Sequence, residues 1–143
     1  MKVLVLNGPN LGRLDIRDSS IYGDMTYPAL VSHIEGAAKT HGFEADVRQS
    51  NDEAEIIGWL HEAADKKQPV IINPAAFTHY SYAIRDAVAM LTAPVIEVHL
   101  SNPLSREEFR HTSVVSGVVN GTIAGFGAES YLLAILAMQK LVG

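Results

Sequence analysis

Five short apolar runs, near residues 2 to 7, 43 to 49, 69 to 73, 94 to 100 and 118 to 124, recur along the chain with helical periodicity between and after them. Each run is continuous and bounded by turn residues, the pattern of a strand covered on both faces. Strands that alternate with helices predict a parallel sheet enclosed by two helical layers.

The helix starts carry local signals. Thr26 or Tyr27 leads into Pro28, while Ser50-Asn-Asp-Glu53 and Ser105-Arg-Glu-Glu108 each match a capping box. The segment Ala128 to Leu141 is apolar around most of its circumference and follows the turn Gly125-Phe-Gly127, so it should pack on the sheet or on another subunit. No repeat, low-complexity tract or linker interrupts the chain, and residues 1–143 read as one catalytic domain. Five strand–helix units in this length favour an α/β fold of the flavodoxin-like doubly wound kind, a five-stranded parallel sheet in the order 2-1-3-4-5.

Composition narrows the partners. The hydrophobic share of 48% and charged share of 19% suit a soluble globular protein. No apolar run approaches the roughly 18 residues of a membrane span, and no secretory leader is recognisable, so a cytoplasmic address is expected. The absence of Cys removes thiol catalysis and disulfides, and a net charge of -5 disfavours a nucleic-acid surface. A small-molecule ligand is the expected partner.

Ligands of open α/β sheets bind where the strands end. The first strand empties into Gly8-Pro9-Asn10 and a long polar segment that closes on Ile21-Tyr22-Gly23, a connection too long for a mere link and expected to act as a lid without secondary structure of its own. It carries Asn10, Arg17 and Tyr22. The other strand ends offer Asn7, Asn73 with His79, and Glu97, His99, Ser101 and Asn102. Glu97 and His99 alternate with Val98 and share a face, and buried charge there is costly unless paired or used. Arg17 and Arg110 supply fixed positive charge for a carboxylate, with backbone amides at the Ser101 turn as further donors. An anionic, polyhydroxylated ligand fits this inventory. Arg106, Glu107 and Glu108 read as a solvated helix start, and His33, His41, His61 and His111 are explained by solvent or packing.

Absent motifs are informative too. The chain has no G-x-G-x-x-G after its first strand, no P-loop and no G-x-S-x-G elbow. His79 and His99 are isolated from other metal ligands, so no metal and no cofactor is expected. Acid and base chemistry by side chains remains.

Leu6-Asn-Gly-Pro-Asn-Leu11, Arg17, Ile21-Tyr-Gly23, Ile72-Asn-Pro-Ala75, Thr78-His79, Arg85-Asp86, Glu97-Val-His-Leu-Ser-Asn102 and Arg106-Glu-Glu-Phe-Arg110, in this order over nearly the full length, resemble the type II 3-dehydroquinate dehydratases. The resemblance implies an anti elimination of water from 3-dehydroquinate through an enolate, the third step of the shikimate pathway, without metal or Schiff base. It makes Tyr22 the base, His99 the general acid oriented by Glu97, and Asn10 the holder of a water against the enolate oxygen. A free phenol titrates near pH ~10, so base work near neutrality asks for roughly 4 kcal/mol of phenolate stabilisation, and Arg17 is the natural source. By the same resemblance Asn73 and the Leu100 and Ser101 amides bind the carboxylate, and His79 and Arg110 meet the ring hydroxyls. Asp86 reaches in from a neighbouring subunit of a homo-oligomer, a dodecamer built from trimers.

The chain departs from that pattern at Asp15, at Asp18-Ser19 and at Pro103-Leu104. Asp15 is expected to compete for Arg17, and the loss of Pro at position 19 to loosen residues 13 to 22 when no ligand is bound. Two other readings compete with this one: a non-catalytic flavodoxin-like binding module, and a different lyase acting on a related hydroxy acid.

Overall fold

The computed structural model describes all 143 residues. Strands β1 (Lys2–Asn7), β2 (Glu44–Gln49), β3 (Val70–Asn73), β4 (Val95–His99) and β5 (Gly121–Ala124) form one parallel sheet in the order β2-β1-β3-β4-β5. This is the flavodoxin-like order that the alternation of runs predicts. The last strand is shorter than its apolar run because Ser116–Val118 turns as a 3-10 helix before Gly121.

Alternation along β1 accounts for both helical layers. Val3 and Val5 face α2 (Tyr27–Thr40) and α5 (Glu129–Val142), where Leu30, Ile34, Ala134, Ile135 and Met138 close one core. Leu4 and Leu6 face the opposite side, against Ile56 and Leu60 of α3 (Glu53–Lys66) and Ile84 and Val88 of α4 (Tyr82–Ala89). Each such side chain contributes about 1.5–3 kcal/mol by leaving water, which is why β1 from Val3 to Leu6 and β3 from Val70 to Ile72 are unbroken apolar runs, while β4 admits one buried carboxylate at Glu97. Polar residues then appear at Asn7, Asn73 and His99. No helix is long and apolar enough to cross a membrane.

The caps differ from the expected boxes in two places. Thr26 Oγ1 accepts from Ala29 N at 3.3 Å with Pro28 in the first turn, as its sequence signals. Asp52, not Ser50, caps α3: its carboxylate accepts from Ala54 N at 2.9 Å, while Ser50 Oγ accepts from Asp52 N at 2.9 Å. An ionised carboxylate closer to the helix start wins over a hydroxyl two residues before it. No helix starts at Ser105. Asn102 Oδ1 accepts from Leu104 N at 3.2 Å and Pro103 fixes the turn early, giving 3-10 turns at Pro103–Ser105 and Glu108–His111 separated by an extended Arg106.

Candidate active site

A cleft of about 110 Å³ opens at the carboxyl ends of the strands. It brings together Asn10, Arg17, Tyr22, Asn73, His79, His99, Leu100, Ser101 and Arg110, all of them named from the sequence. Glu97 stands behind His99, fully buried. Asp86 is not in this cleft and lies on the exposed side of α4.

The floor depends on a close approach of backbones. Gly8 follows β1 directly against Pro74, where a Cβ would lie 2.5 Å from the Pro74 carbonyl oxygen, so only glycine fits. Asn10 adopts φ 71 and donates its backbone N–H to Asn51 Oδ1 at 2.9 Å, an arrangement that Asn tolerates better than most residues.

The lid segment is more structured than its sequence suggests. Leu11–Ile16 forms 3-10 turns anchored by buried Leu11 and Leu14. Asp18 then caps the single turn α1 (Ser19–Tyr22), its Oδ1 accepting from Ser20 N at 3.0 Å and Ser20 Oγ at 2.7 Å. Asp15 does not draw Arg17 away, because it pairs with Arg13 at 3.1 Å.

Arg17 is therefore left to Tyr22, with its guanidinium carbon 3.6 Å from the ring centroid. Burial pulls the Arg17 guanidinium below the usual arginine range, repulsion from Arg106 and Arg110 pulls the same way, and Tyr22 opposes both. Arg106, read from the sequence as part of a solvated helix start, is the main correction. Its side chain is only 13% exposed, its Nη1 donates to Ser101 Oγ at 3.2 Å, and its guanidinium carbon lies 5.0 Å from the Tyr22 ring centroid. Arg106 Nε is buried without a hydrogen bond, with Glu107 Oε1 3.8 Å away as its ion-pair partner. Arg110 donates from Nε to Glu107 at 2.9 Å and holds that carboxyl below the usual carboxylate range.

On the opposite wall, His99 Nε2 lies 2.5 Å from Glu97 Oε2. The same carboxylate accepts from Thr78 Oγ1 at 2.5 Å and, through Oε1, from Ser116 Oγ at 2.5 Å. Ser113 Oγ sits 2.6 Å from Thr78 Oγ1 and accepts from the backbone N–H of Val115 and Ser116. Burial pushes the Glu97 carboxyl up, but the His99 bond and charge and the two hydroxyls outweigh it and hold it below the usual range. Thr78, Ser113 and Ser116 carry no sequence signal of this task beyond the place of Thr78 beside His79. His79 Nδ1 donates to the Thr112 carbonyl at 2.8 Å, which leaves Nε2 as its other polar atom.

No group of three or more His, Asp or Glu side chains is placed to hold a metal ion, and no lysine lines the cleft. A parallel α/β sheet whose strand ends carry a carboxylate-backed imidazole facing a phenol flanked by arginines defines an enzyme of the acid–base class. The model of the family described as "Dehydroquinase class II" matches residues 1–139, and the chain belongs to that family. A 3-dehydroquinate dehydratase of Mycobacteroides abscessus is 56% identical over 135 residues, covering 94% of each chain. One of Lachnoclostridium phytofermentans is 55% identical over 142 residues, with 99% of this chain and 98% of that protein covered. The crystal structure of type II dehydroquinase from Propionibacterium acnes superposes with a TM-score of 0.95 at 50% identity, covering 97% of this chain and 96% of that one.

Proposed function

We propose that residues 1–143 form one catalytic unit that eliminates water from 3-dehydroquinate to give 3-dehydroshikimate, the third step of the shikimate pathway. One observation carries the mechanism: an arginine-flanked Tyr22 and a Glu97-backed His99 face the same cleft.

The Tyr22 phenolate takes the proton from the carbon beside the ketone, and the electron pair moves onto the ketone oxygen as an enolate. The guanidinium groups of Arg17 and Arg106 set positive charge beside that ring, 3.6 Å and 5.0 Å from its centroid. Asn10 holds a water against the enolate oxygen with its side chain, which makes no hydrogen bond within the chain. The enolate then collapses, the bond to the neighbouring hydroxyl breaks, and His99 gives that hydroxyl the proton with which it leaves as water. Glu97 accepts from His99 Nε2 and so fixes the orientation of the ring. Asn73 and the amides of Leu100 and Ser101 bind the carboxylate, while His79 and Arg110 meet the ring hydroxyls. A cleft without lysine gives no amine for a Schiff base, which supports a route without imine. The chemistry also needs no metal and no cofactor.

Asp86 completes the site from a neighbouring subunit, in a cytoplasmic dodecamer built from trimers. Its exposed position on α4, away from its own cleft, supports this reading. A non-catalytic binding module has no support in the relatives, which bear the name of the enzyme. The test is ultraviolet detection of the conjugated enone carboxylate from 3-dehydroquinate by protein treated with chelator and with borohydride. Turnover that survives both treatments supports the reading, and its absence refutes it.

A further inference from the structure

Asn7 and Asn73 end adjacent strands at paired positions, and beneath them lies a residue that the catalytic account leaves unused. Tyr131 of α5 is wholly buried. Its hydroxyl donates to Asn7 Oδ1 at 2.5 Å and accepts from Asn73 Nδ2 at 2.9 Å. Burial pushes the Tyr131 phenol up from its ordinary value, so it keeps its proton. Asn73 Oδ1 in turn accepts the backbone N–H of Ala75 at 3.1 Å, and Ala75 stands at φ 53, a left-handed conformation that a residue with a Cβ seldom adopts. Both Asn73 and Ala75 line the cleft.

We propose that Tyr131 is a positioning residue for substrate, holding the Asn73 amide in a single orientation so that its remaining N–H and the Ala75 turn face the cleft. A flipped Asn73 amide would set its oxygen against a hydroxyl oxygen whose proton is committed to Asn7, and its NH2 group against the Ala75 N–H. Neither contact bonds. Asn7 has the complementary task. Its Oδ1 accepts the Tyr131 proton and so sets the direction of that hydroxyl, while the Asn7 side chain also meets the phenol of half-buried Tyr27. Three side chains from β1, β3 and α5 thus convert the packing of a distant helix into the aim of one N–H.

The inference rests on the reading of Asn73 as part of the carboxylate site, and the experiment separates the two. Steady-state kinetics with 3-dehydroquinate are compared for the wild-type enzyme, Tyr131→Phe, Asn7→Ala and Asn73→Ala, each below its unfolding temperature. Inhibition by quinate and by its neutral carboxamide is measured alongside. Tyr131→Phe is expected to raise KM about tenfold, corresponding to one hydrogen bond to a charged group, with kcat little changed and the preference for quinate over the carboxamide reduced. Asn7→Ala is expected to shift KM in the same direction by less, and it carries the test if Tyr131→Phe does not fold. A loss of thermal stability with KM and carboxylate preference intact, while Asn73→Ala raises KM, overturns the inference and leaves the Asn73 reading standing. An unchanged KM in Asn73→Ala overturns that reading and the inference together.

Discussion

The guanidinium carbon of Arg17 lies 3.6 Å from the centroid of the Tyr22 ring, and that of Arg106 lies 5.0 Å from the same centroid. Two cations flank one phenol in a cleft partly shielded from water, where charge interactions exceed those at an open surface. Arg17→Ala is expected to lower kcat by about 10²–10³, within the range of general-base catalysis, because the guanidinium beside the ring is what suits Tyr22 to act as the base. Arg106→Ala is expected to act in the same direction and more weakly, being farther away. Arg17→Lys should recover little, since an ammonium lacks the planar face that lies on the ring. Comparison of kcat among the three variants checks this; wild-type turnover in Arg106→Ala would reduce that residue to scaffolding.

Glu97 links the catalytic wall to folding. Its carboxyl is held below the usual range by His99, Ser116 and Thr78 against the opposing effect of burial. A lowered folded value means that its contribution to stability is present above the unfolded value of about 4.3 and is lost as pH falls through the folded one. Glu97→Gln is expected to lower kcat roughly 10–100-fold, as for other partners that orient a histidine. The urea midpoint should fall at pH 6, and the gap to wild type should narrow as pH drops below about 4. A gap that stays constant with pH would show that folding leaves the proton affinity of this carboxyl unchanged, and one that widens as pH falls would show that it is neutral in the folded protein.

A second carboxylate offers a comparison away from the cleft. Glu62 is drawn down to about 2 by hydrogen bonds from Arg48 and then Lys66, in a network that also joins Asp46 to Arg48. Because the folded value is the lower one, its stabilisation is complete above about 4.3 and disappears as pH falls toward 2. Glu62→Gln should therefore lower the melting temperature at pH 6, lose that effect near pH 2, and lose part of it in high salt because the group is accessible to solvent. Wild-type kcat is expected throughout.

Asp86 gives a prediction about assembly. If each cleft borrows this carboxylate, Asp86→Ala and Tyr22→Phe are both impaired alone. Subunits mixed and reassembled from the two should regain part of the activity, since some clefts then combine an intact Tyr22 with an intact Asp86. No recovery after verified reassembly would place Asp86 outside the site.

How much the sequence revealed depended on the range of the interaction. The strands were legible because burial on both faces demands an unbroken apolar run, as in Val3 to Leu6. Site residues were legible where strand ends alone placed them, as with His99 and Glu97. Arg106 was misread because a charged residue after a Ser with acidic neighbours fits a solvated helix start, whereas Asn102 and Pro103 had already used the turn. Tyr131 was invisible for another reason: its partners lie 58 and 124 positions away, and its surroundings read as an apolar helix face. Ser116 and Ser113 likewise gain meaning only when the chain before β5 folds back, setting Ser116 on the Glu97 carboxylate and Ser113 on Thr78.

The most direct test of the account is the initial rate of enone carboxylate formation from 3-dehydroquinate by the wild-type protein and by Tyr22→Phe, with substrate binding measured in both. The account predicts turnover by the wild type and loss of nearly all of it, by roughly 10²–10⁴-fold, in a Tyr22→Phe variant that still binds substrate. A near-normal rate in Tyr22→Phe would remove the base from the mechanism and contradict the central claim.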